Sequence, residues 1–349
     1  MMRARLSTHL PAAALLAALA FVSLAPRPAR AFEWDRLRLR GRLQPRYEVG
    51  EDGNGDWSNR FLLRRARVDG RWTPLDWLRL ELEIDGSDGV DLKDAYARIE
   101  VHDLLRLTAG QFKKPFSRLK MTSPWDLLIP ERGLLDAYAI RHTDHGGYGG
   151  RDLGLMASGV WKGPVKLRYY LGAFDGDGRL DGRDETHRDY VARLQAQAFK
   201  GLVLAVHANH KLYYLGEHTR TVNAFGADLR WTFRGFRLQL EGAFGDNPDA
   251  GPGHGLAGGH AIASYRWKIA DGWVLTPAAM GEIFDPDDQQ DGYAWRIAAA
   301  ANLDIGKHVR VVLASEWCLG EAEAYDARLG AVQALDLPRR IYLQLDLAI

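Results

Sequence analysis

Arg36, Arg38, Arg40 and Arg42 alternate with Leu37, Leu39 and Gly41 near the start of this 349-residue chain. An alternation of period two is that of a strand, whose successive side chains point to opposite faces, so the four guanidiniums would stand in one column. Arg65, Arg67 and Arg71 repeat the pattern in the next segment, with Asp69 among them, while Arg60 and Arg64 fall in the opposite phase. Planar donor forks stacked beside water attract anions and suit phosphate or carboxylate. The competing reading is that the arginines pair with Glu81, Glu83, Asp94 and Glu100 on neighbouring strands and merely line a wet interior. Other chemistry finds less support. Asp52-Gly53-Asn54-Gly55-Asp56 and Asp175 to Asp181 lack the ligand spacing and distal Glu of an EF-hand loop. His142 and His145 beside Asp144 form a dispersed loop pair, which reads as solvent-exposed rather than as a metal site. No Gly-x-Ser-x-Gly element, P-loop or His-Glu-x-x-His motif is present. Ser264 and His260 share one strand face but stand about 13 Å apart by strand rise, too far for a hydrogen bond. The expectation is no catalytic residue, no metal and no cofactor.

The elements that would position the arginines follow from the same periodicity. Sixteen segments alternate in this way: about 36–49, 58–72, 77–86, 90–102, 104–112, 151–161, 164–174, 188–199, 202–213, 220–234, 236–245, 259–270, 273–284, 292–304, 307–318 and 338–348. Tight turns such as Thr73-Pro74-Leu75-Asp76, Lys162-Gly163-Pro164 and Arg234-Gly235 alternate with longer polar connections such as 175–187, 245–258 and 319–337. Short and long connections in alternation along an even number of strands describe an antiparallel transmembrane β-barrel, with both termini on the periplasmic side. Segments of this length suffice to cross a bilayer when tilted. With lipid outside, the polar face of each strand would point into the lumen, and Arg64 would face lipid unless a bulge or the loop region re-aims it. Trp72, Trp77, Trp161, Trp231, Trp267, Trp273, Trp295 and Trp317 fall near strand ends, where an interfacial girdle places its rings.

Composition excludes several other classes. The chain is 46% hydrophobic, which rules out a disordered chain, and its single cysteine, Cys318, rules out a disulfide scaffold; that residue is expected to pack at a strand end. Arg3 and Arg5, the apolar run 11–24 and Ala29-Arg30-Ala31 form the pattern of a secretory signal peptide over residues 1–31. That segment holds four of the 46 basic residues and none of the 45 acidic ones, so residues 32–349, read as one barrel domain, carry a small acidic excess. No other stretch is apolar enough for a membrane helix. The connection of about 113–150 is the longest and carries Phe116, Leu119, Met121, Trp125 and Leu127-Leu128-Ile129, too apolar for a solvated tail. It is expected to fold into the barrel and narrow it.

Gly41-Arg42-Leu43-Gln44, Arg64-Arg65-Ala66-Arg67, Gly110-Gln111-Phe112 with Pro115-Phe116, Lys120-Met121-Thr122-Ser123, Trp125 and Glu131-Arg132 occur in the order seen in the phosphate-selective porin O and P family, which the chain resembles most clearly over 36–160. The resemblance implies a sixteen-stranded outer-membrane barrel, commonly a homotrimer, whose third long loop forms a constriction. It also implies that an anion is held there by the positions matching Arg42, Arg64, Arg65, Asp94, Lys120 and Ser123. Thr108 stands where phosphate-binding members can carry a lysine, and Pro124 where they carry a second loop serine.

Together these features lead to an all-β, 16-stranded antiparallel transmembrane barrel in the outer membrane, surrounded by lipid and without nucleic-acid partners. It would serve as a passive channel for small inorganic anions, phosphate among them. Arg42, Arg64, Arg65, Asp94, Lys120 and Ser123 would form the constriction, with Arg36, Arg38, Arg40, Arg67 and Arg71 as a basic series along the lumen. A closed-lumen barrel serving structure or adhesion is the alternative, and a barrel hydrolase a more distant one.

Overall fold

Leucine and charge alternate around a closed sheet in the computed structural model, which describes residues 36–51, 55–141, 147–176, 187–215, 218–248, 252–289, 292–320 and 339–349. The barrel unit is Leu37–Ile349, with Met1–Arg36 divided from it. The expected signal segment lies outside the described residues, as do His142, Asp144, His145 and most of the Asp-rich loops. Arg36 precedes the first strand and so is not part of its arginine column.

Among the described residues sixteen antiparallel strands are present, and consecutive strands pair. They are β1 (Leu37–Glu51), β2 (Trp57–Leu75), β3 (Leu78–Asp85), β4 (Asp91–His102), β5 (Leu105–Lys113), β6 (Arg151–Lys162), β7 (Lys166–Phe174) and β8 (Arg188–Phe199). The circuit continues with β9 (Leu202–Leu215), β10 (His218–Phe233), β11 (Phe236–Asp246), β12 (Gly255–Tyr265, resumed at Trp267–Ala270), β13 (Trp273–Asp285), β14 (Ala294–Ile305), β15 (Val309–Gly320) and β16 (Arg339–Ala348). The sheet closes through β1 and β16, with Arg42 opposite Ala348 and Glu51 opposite Arg339. Closure removes both sheet edges, so no row of backbone donors is left unpaired. The outward face carries exposed apolar side chains such as Val68, Leu155, Val206, Ile297 and Leu313. Exposed aromatics ring both ends: Trp77, Trp161, Trp267 and Trp273 by the short turns, and Trp57, Phe61, Trp295 and Trp317 by the long connections.

The inner face is not uniformly polar, which departs from the expectation for a barrel bathed inside by water. From β8 to β16 it carries Val191, Val222, Ala224, Leu256, Ile262, Phe284, Ala298, Ala300, Val312 and Tyr342, all buried. The connection after β5 covers them. It folds inward as a short helix, α1 (Arg118–Met121), a 3-10 turn at Pro124–Asp126 and a π-helical turn at Asp136–Arg141. Its Phe116, Leu134, Leu135 and Ile140 join one cluster with Val222, Leu256 and Phe284. Its Leu119, Leu127 and Ile129 join another with Ile262, Ala298 and Val312. Each such side chain contributes about 1.5–3 kcal/mol when fully buried.

Polar contacts fix the loop in register over that wall. Glu282 of β13 accepts from the backbone N–H groups of Leu134 and Leu135 at 2.9 and 3.0 Å, and Glu241 of β11 accepts from Leu119 N–H at 2.9 Å. Asn302 donates to the Leu128 carbonyl at 2.9 Å and Arg310 to that of Trp125 at 2.7 Å. Gly133 permits the close approach: φ is +102°, and a Cβ there would lie 2.1 Å from Glu282 Oε2 and 2.8 Å from Arg296 Nη1.

Leu134 is fully buried in this contact. Leu134→Asp places an unpaired carboxylate there and is expected to release the loop while the barrel stays closed. Trypsin should then cut after Arg118 or Lys120, both buried in the wild type, with the barrel still shifting on heating in a denaturing gel. Leu134→Asp remaining as resistant at those two bonds as the wild type would count against the packing described.

Candidate functional site

The local sequence Leu63-Arg64-Arg65 resolves the phase problem on β2. Gln44 of β1 pairs with Arg65 and Pro45 with Leu63, so Arg64 is the extra residue of a β-bulge. The bulge turns Arg64 inward and shifts the phase of all that precedes it, so that Arg60 also meets an inward acid, Glu48, at 2.6 Å. Arg64 grips Glu131 of the loop with two parallel hydrogen bonds of 2.8 and 2.9 Å. Arg46 reaches the same carboxylate at 2.8 Å, and Arg65 stands 4.0 Å away while donating to Gln44 at 2.8 Å. Burial opposes ionisation of Glu131, but Arg64, Arg46 and Arg65 outweigh it and hold the carboxyl well below its ordinary range.

Most of the predicted arginine column is likewise neutralised. Asp69 accepts from Arg40 at 2.8 Å and from Arg42 at 3.0 Å. Arg67 donates to Asp85 at 2.7 Å and Glu83 at 3.0 Å, and Arg71 to Glu81 at 2.9 Å. Arg38 is exposed and has no ion pair among the described residues. The structure therefore brings the column together, and it brings the acids to it as well. Asp94 accepts from Arg151 at 2.8 and 2.9 Å, and Arg151 also reaches Glu83 at 3.1 Å. Lys120 is buried and pairs with Asp136 at 3.4 Å inside the loop. Ser123 accepts from Arg42 at 3.1 Å. Of the six residues expected around one anion, Arg42 and Ser123 meet directly. Arg64 and Arg65 belong to the Glu131 cluster, Asp94 to Arg151, and Lys120 to the loop interior.

Between the loop and the β1–β7 wall a cavity of about 680 Å³ remains. Arg42, Arg67, Arg151 and Ser123 line it, and so do four residues the sequence reading passed over: Arg98, Lys113, Arg168 and Tyr170. Arg98 donates to Thr108 at 3.2 Å, Lys113 to the Thr122 carbonyl at 3.3 Å and Arg168 to the Tyr170 hydroxyl at 3.5 Å. None of the three holds a carboxylate partner among the described residues. Their sequence signal was available: Tyr96-Ala97-Arg98 and Arg168-Tyr169-Tyr170 each put a cation and a ring on one face at period two. Isolated cations do not stand out as a run of arginines does. Among the described residues no group of three or more His, Cys, Asp or Glu side chains could hold a metal ion.

Comparisons place this architecture. The family model described as phosphate-selective porin O and P matches residues 37–234, more than half of the chain. Among solved structures, the anion-selective porin from Comamonas acidovorans superposes with a TM-score of 0.62 at 12% identity, covering 90% of this chain and 99% of that one. The outer membrane channel DcaP of Acinetobacter baumannii gives 0.61 at 12% identity, over 92% and 100%. The trimer form of OmpT, an outer membrane protein of Vibrio cholerae, gives 0.59 at 11% identity, over 90% and 99%. At such identities the likeness is one of fold. No curated protein sequence matches the chain.

Glu131 ties β1 and β2 to the loop, and Glu131→Gln should cost about 2–3 kcal/mol of loop docking, allowing for the solvent that reaches Arg64. Because the folded-state carboxyl is depressed, its contribution is present above the unfolded value of about 4.3 and lost as pH falls through the folded value. Hydrogen exchange of residues 114–141, corrected for intrinsic rates, should therefore stay protected from pH 8 to about 5 and lose protection only in stronger acid. In Glu131→Gln the protection should already be reduced at pH 7. Equal protection in both proteins would refute the role given to this carboxylate.

Proposed function

Because the chain belongs to the phosphate-selective porin O and P family, we propose that its barrel is an outer-membrane channel through which small anions diffuse passively. The narrow part of the route is the cavity between the inward loop and β1–β7. The observation that carries this reading is the cavity's charge: eight arginines and lysines line it against four aspartates and glutamates. Those acids include Glu81, Glu83 and Asp94, each already held by an arginine, whereas Arg98 and Arg168 have no carboxylate partner among the described residues. A local excess of one sign in a low-dielectric wall concentrates the opposite ion and eases its entry. Exchange of hydration water for guanidinium and ammonium donors would bind an anion weakly enough to let it leave.

Arg42, Asp94 and Ser123 are the members of the expected anion site that border this cavity, and of these Arg42 and Ser123 are in direct contact. In this reading Arg64, Arg65, Asp94 and Lys120 act at one remove, by fixing the loop and orienting Arg151, and phosphate is one solute among several. Arg38, Arg40, Arg67 and Arg71 guide anions along the wall between their carboxylates. Residues 1–31 are the export signal, the short turns and both termini are periplasmic, the aromatic rings contact lipid headgroups, and the assembly is a homotrimer, as the trimer form of OmpT is for that protein. No step of this function needs a catalytic residue or a cofactor.

In planar bilayers under a tenfold KCl gradient, the purified protein should give discrete conductance steps with a reversal potential on the chloride side. Arg42→Gln should lower the chloride preference by about twofold or more. A potassium-side reversal potential would sink the anion reading. Absence of conductance would put the closed-lumen barrel in its place, and ester turnover in detergent would point to a hydrolase.

A further inference from the structure

The cations that lack carboxylates sit among rings. Tyr96 and Arg98 are successive inward residues of β4, and the Arg98 guanidinium lies 5.2 Å from the Tyr96 ring centroid. Arg168 and Tyr170 are successive inward residues of β7, and Arg168 donates to the Tyr170 hydroxyl. The register places Thr108 of β5 opposite Arg98, Met156 of β6 opposite Thr108, and Ser158 and Val160 opposite Tyr170 and Arg168. Two Arg–Tyr steps therefore flank a strip of Met156 and Val160 with the hydroxyls of Thr108 and Ser158, about 14 Å across at the usual strand spacing. Phe112 packs edge-on to Tyr96 at 5.8 Å, and Met121 and Trp125 of the loop face the same cavity. The counter-charges are few on this side. Asp126 of the loop lines the cavity, as does Ile349, while Glu81, Glu83 and Asp94 are bound by Arg71, Arg67 and Arg151.

Such a wall asks more of its ligand than charge. Inorganic phosphate is small and strongly hydrated, and it gains nothing from ring faces or a methionine thioether. A guanidinium fork beside a ring fits a carboxylate attached to a flat apolar body, the carboxylate taking the fork and the body stacking on tyrosine or methionine. The cavity volume falls within the range of small-molecule sites.

We propose that the β4–β7 wall, through Arg98, Arg168, Tyr96 and Tyr170, is a binding track for aromatic carboxylates. The proposal rests on the anion-channel reading and sharpens it by naming the solute class. It also assigns the selective surface to strands further round the same wall than the arginine column of β1 and β2.

The test uses the wild-type protein in planar bilayers, with chloride current measured while benzoate, cyclohexanecarboxylate, acetate or inorganic phosphate is added. Benzoate should reach half-block at a concentration about tenfold below acetate and phosphate, with cyclohexanecarboxylate between them. Tyr170→Ala and Arg168→Gln should each raise the benzoate concentration needed by about fivefold or more and move acetate less. Benzoate blocking no better than acetate in a chloride-preferring channel would overturn the proposal and leave the anion channel standing. A channel without chloride preference would overturn both. Because the decisive comparison is among solutes on one protein, it does not depend on the variants folding.

Discussion

Every strand of a closed barrel must show one face outward and one inward, and this constraint governs the rest of the molecule. The outward face is apolar all round. The inward face is divided: charged and aromatic on β1–β7, and mixed on β8–β16, where aliphatic patches such as Val222, Leu256, Ile262, Ala298 and Val312 stand among buried polar groups such as Arg193, Asp228, Glu241 and Arg296. The aliphatic patches would be unstable against water unless something apolar covered them. The inward loop is that cover. Its leucines, isoleucines and Phe116 face β8–β16, while Met121, Ser123 and Trp125 face the open side. Packing against one wall thus decides where the remaining passage runs.

Charge follows from the same division. Glu131, Glu241 and Glu282 are inward carboxylates spent on holding the loop, through arginines in the first case and backbone N–H groups in the other two. Arginines on β1 and β2 are matched by Asp69, Glu81, Glu83 and Asp85, so the densest run of positive charge in the sequence is close to balanced in space. The surplus appears further round the wall, on β4 and β7, where Arg98 and Arg168 have rings and hydroxyls for neighbours instead of carboxylates. In the proposed anion channel, selectivity would come from the cations left over after the structural ion pairs are formed.

The strands were legible because alternation and turn residues are local signals. Segments expected at 151–161 and 188–199 are strands at Arg151–Lys162 and Arg188–Phe199. The inward loop was legible from its apolar content, and the resemblance pointed the same way. Three things were not. The bulge at Arg64 depends on register with Pro45, a non-local match that periodicity along one strand cannot reveal. The side on which the loop packs depends on Ala298, Ala300 and Val312 facing inward, and in a sequence such residues look like any lipid-facing run. The pairing of the arginine column required knowing that Arg67 of β2 meets Asp85 of β3 across the sheet. Arg98 and Arg168 were missed because a single cation between apolar residues carries no run, and only its phase relative to a tyrosine marks it.

The account turns on water reaching the β1–β7 wall and being kept from the β14 wall by the loop. Cysteine accessibility tests this directly, because Cys318 is the only native thiol and is buried. In a Cys318→Ser background, Tyr170→Cys on the open wall and Ala298→Cys under the loop would be exposed to a charged thiol reagent while current is recorded. The account predicts a rapid change in current for Tyr170→Cys and none for Ala298→Cys. Equal reaction at both positions, or reaction at Ala298→Cys alone, would contradict it.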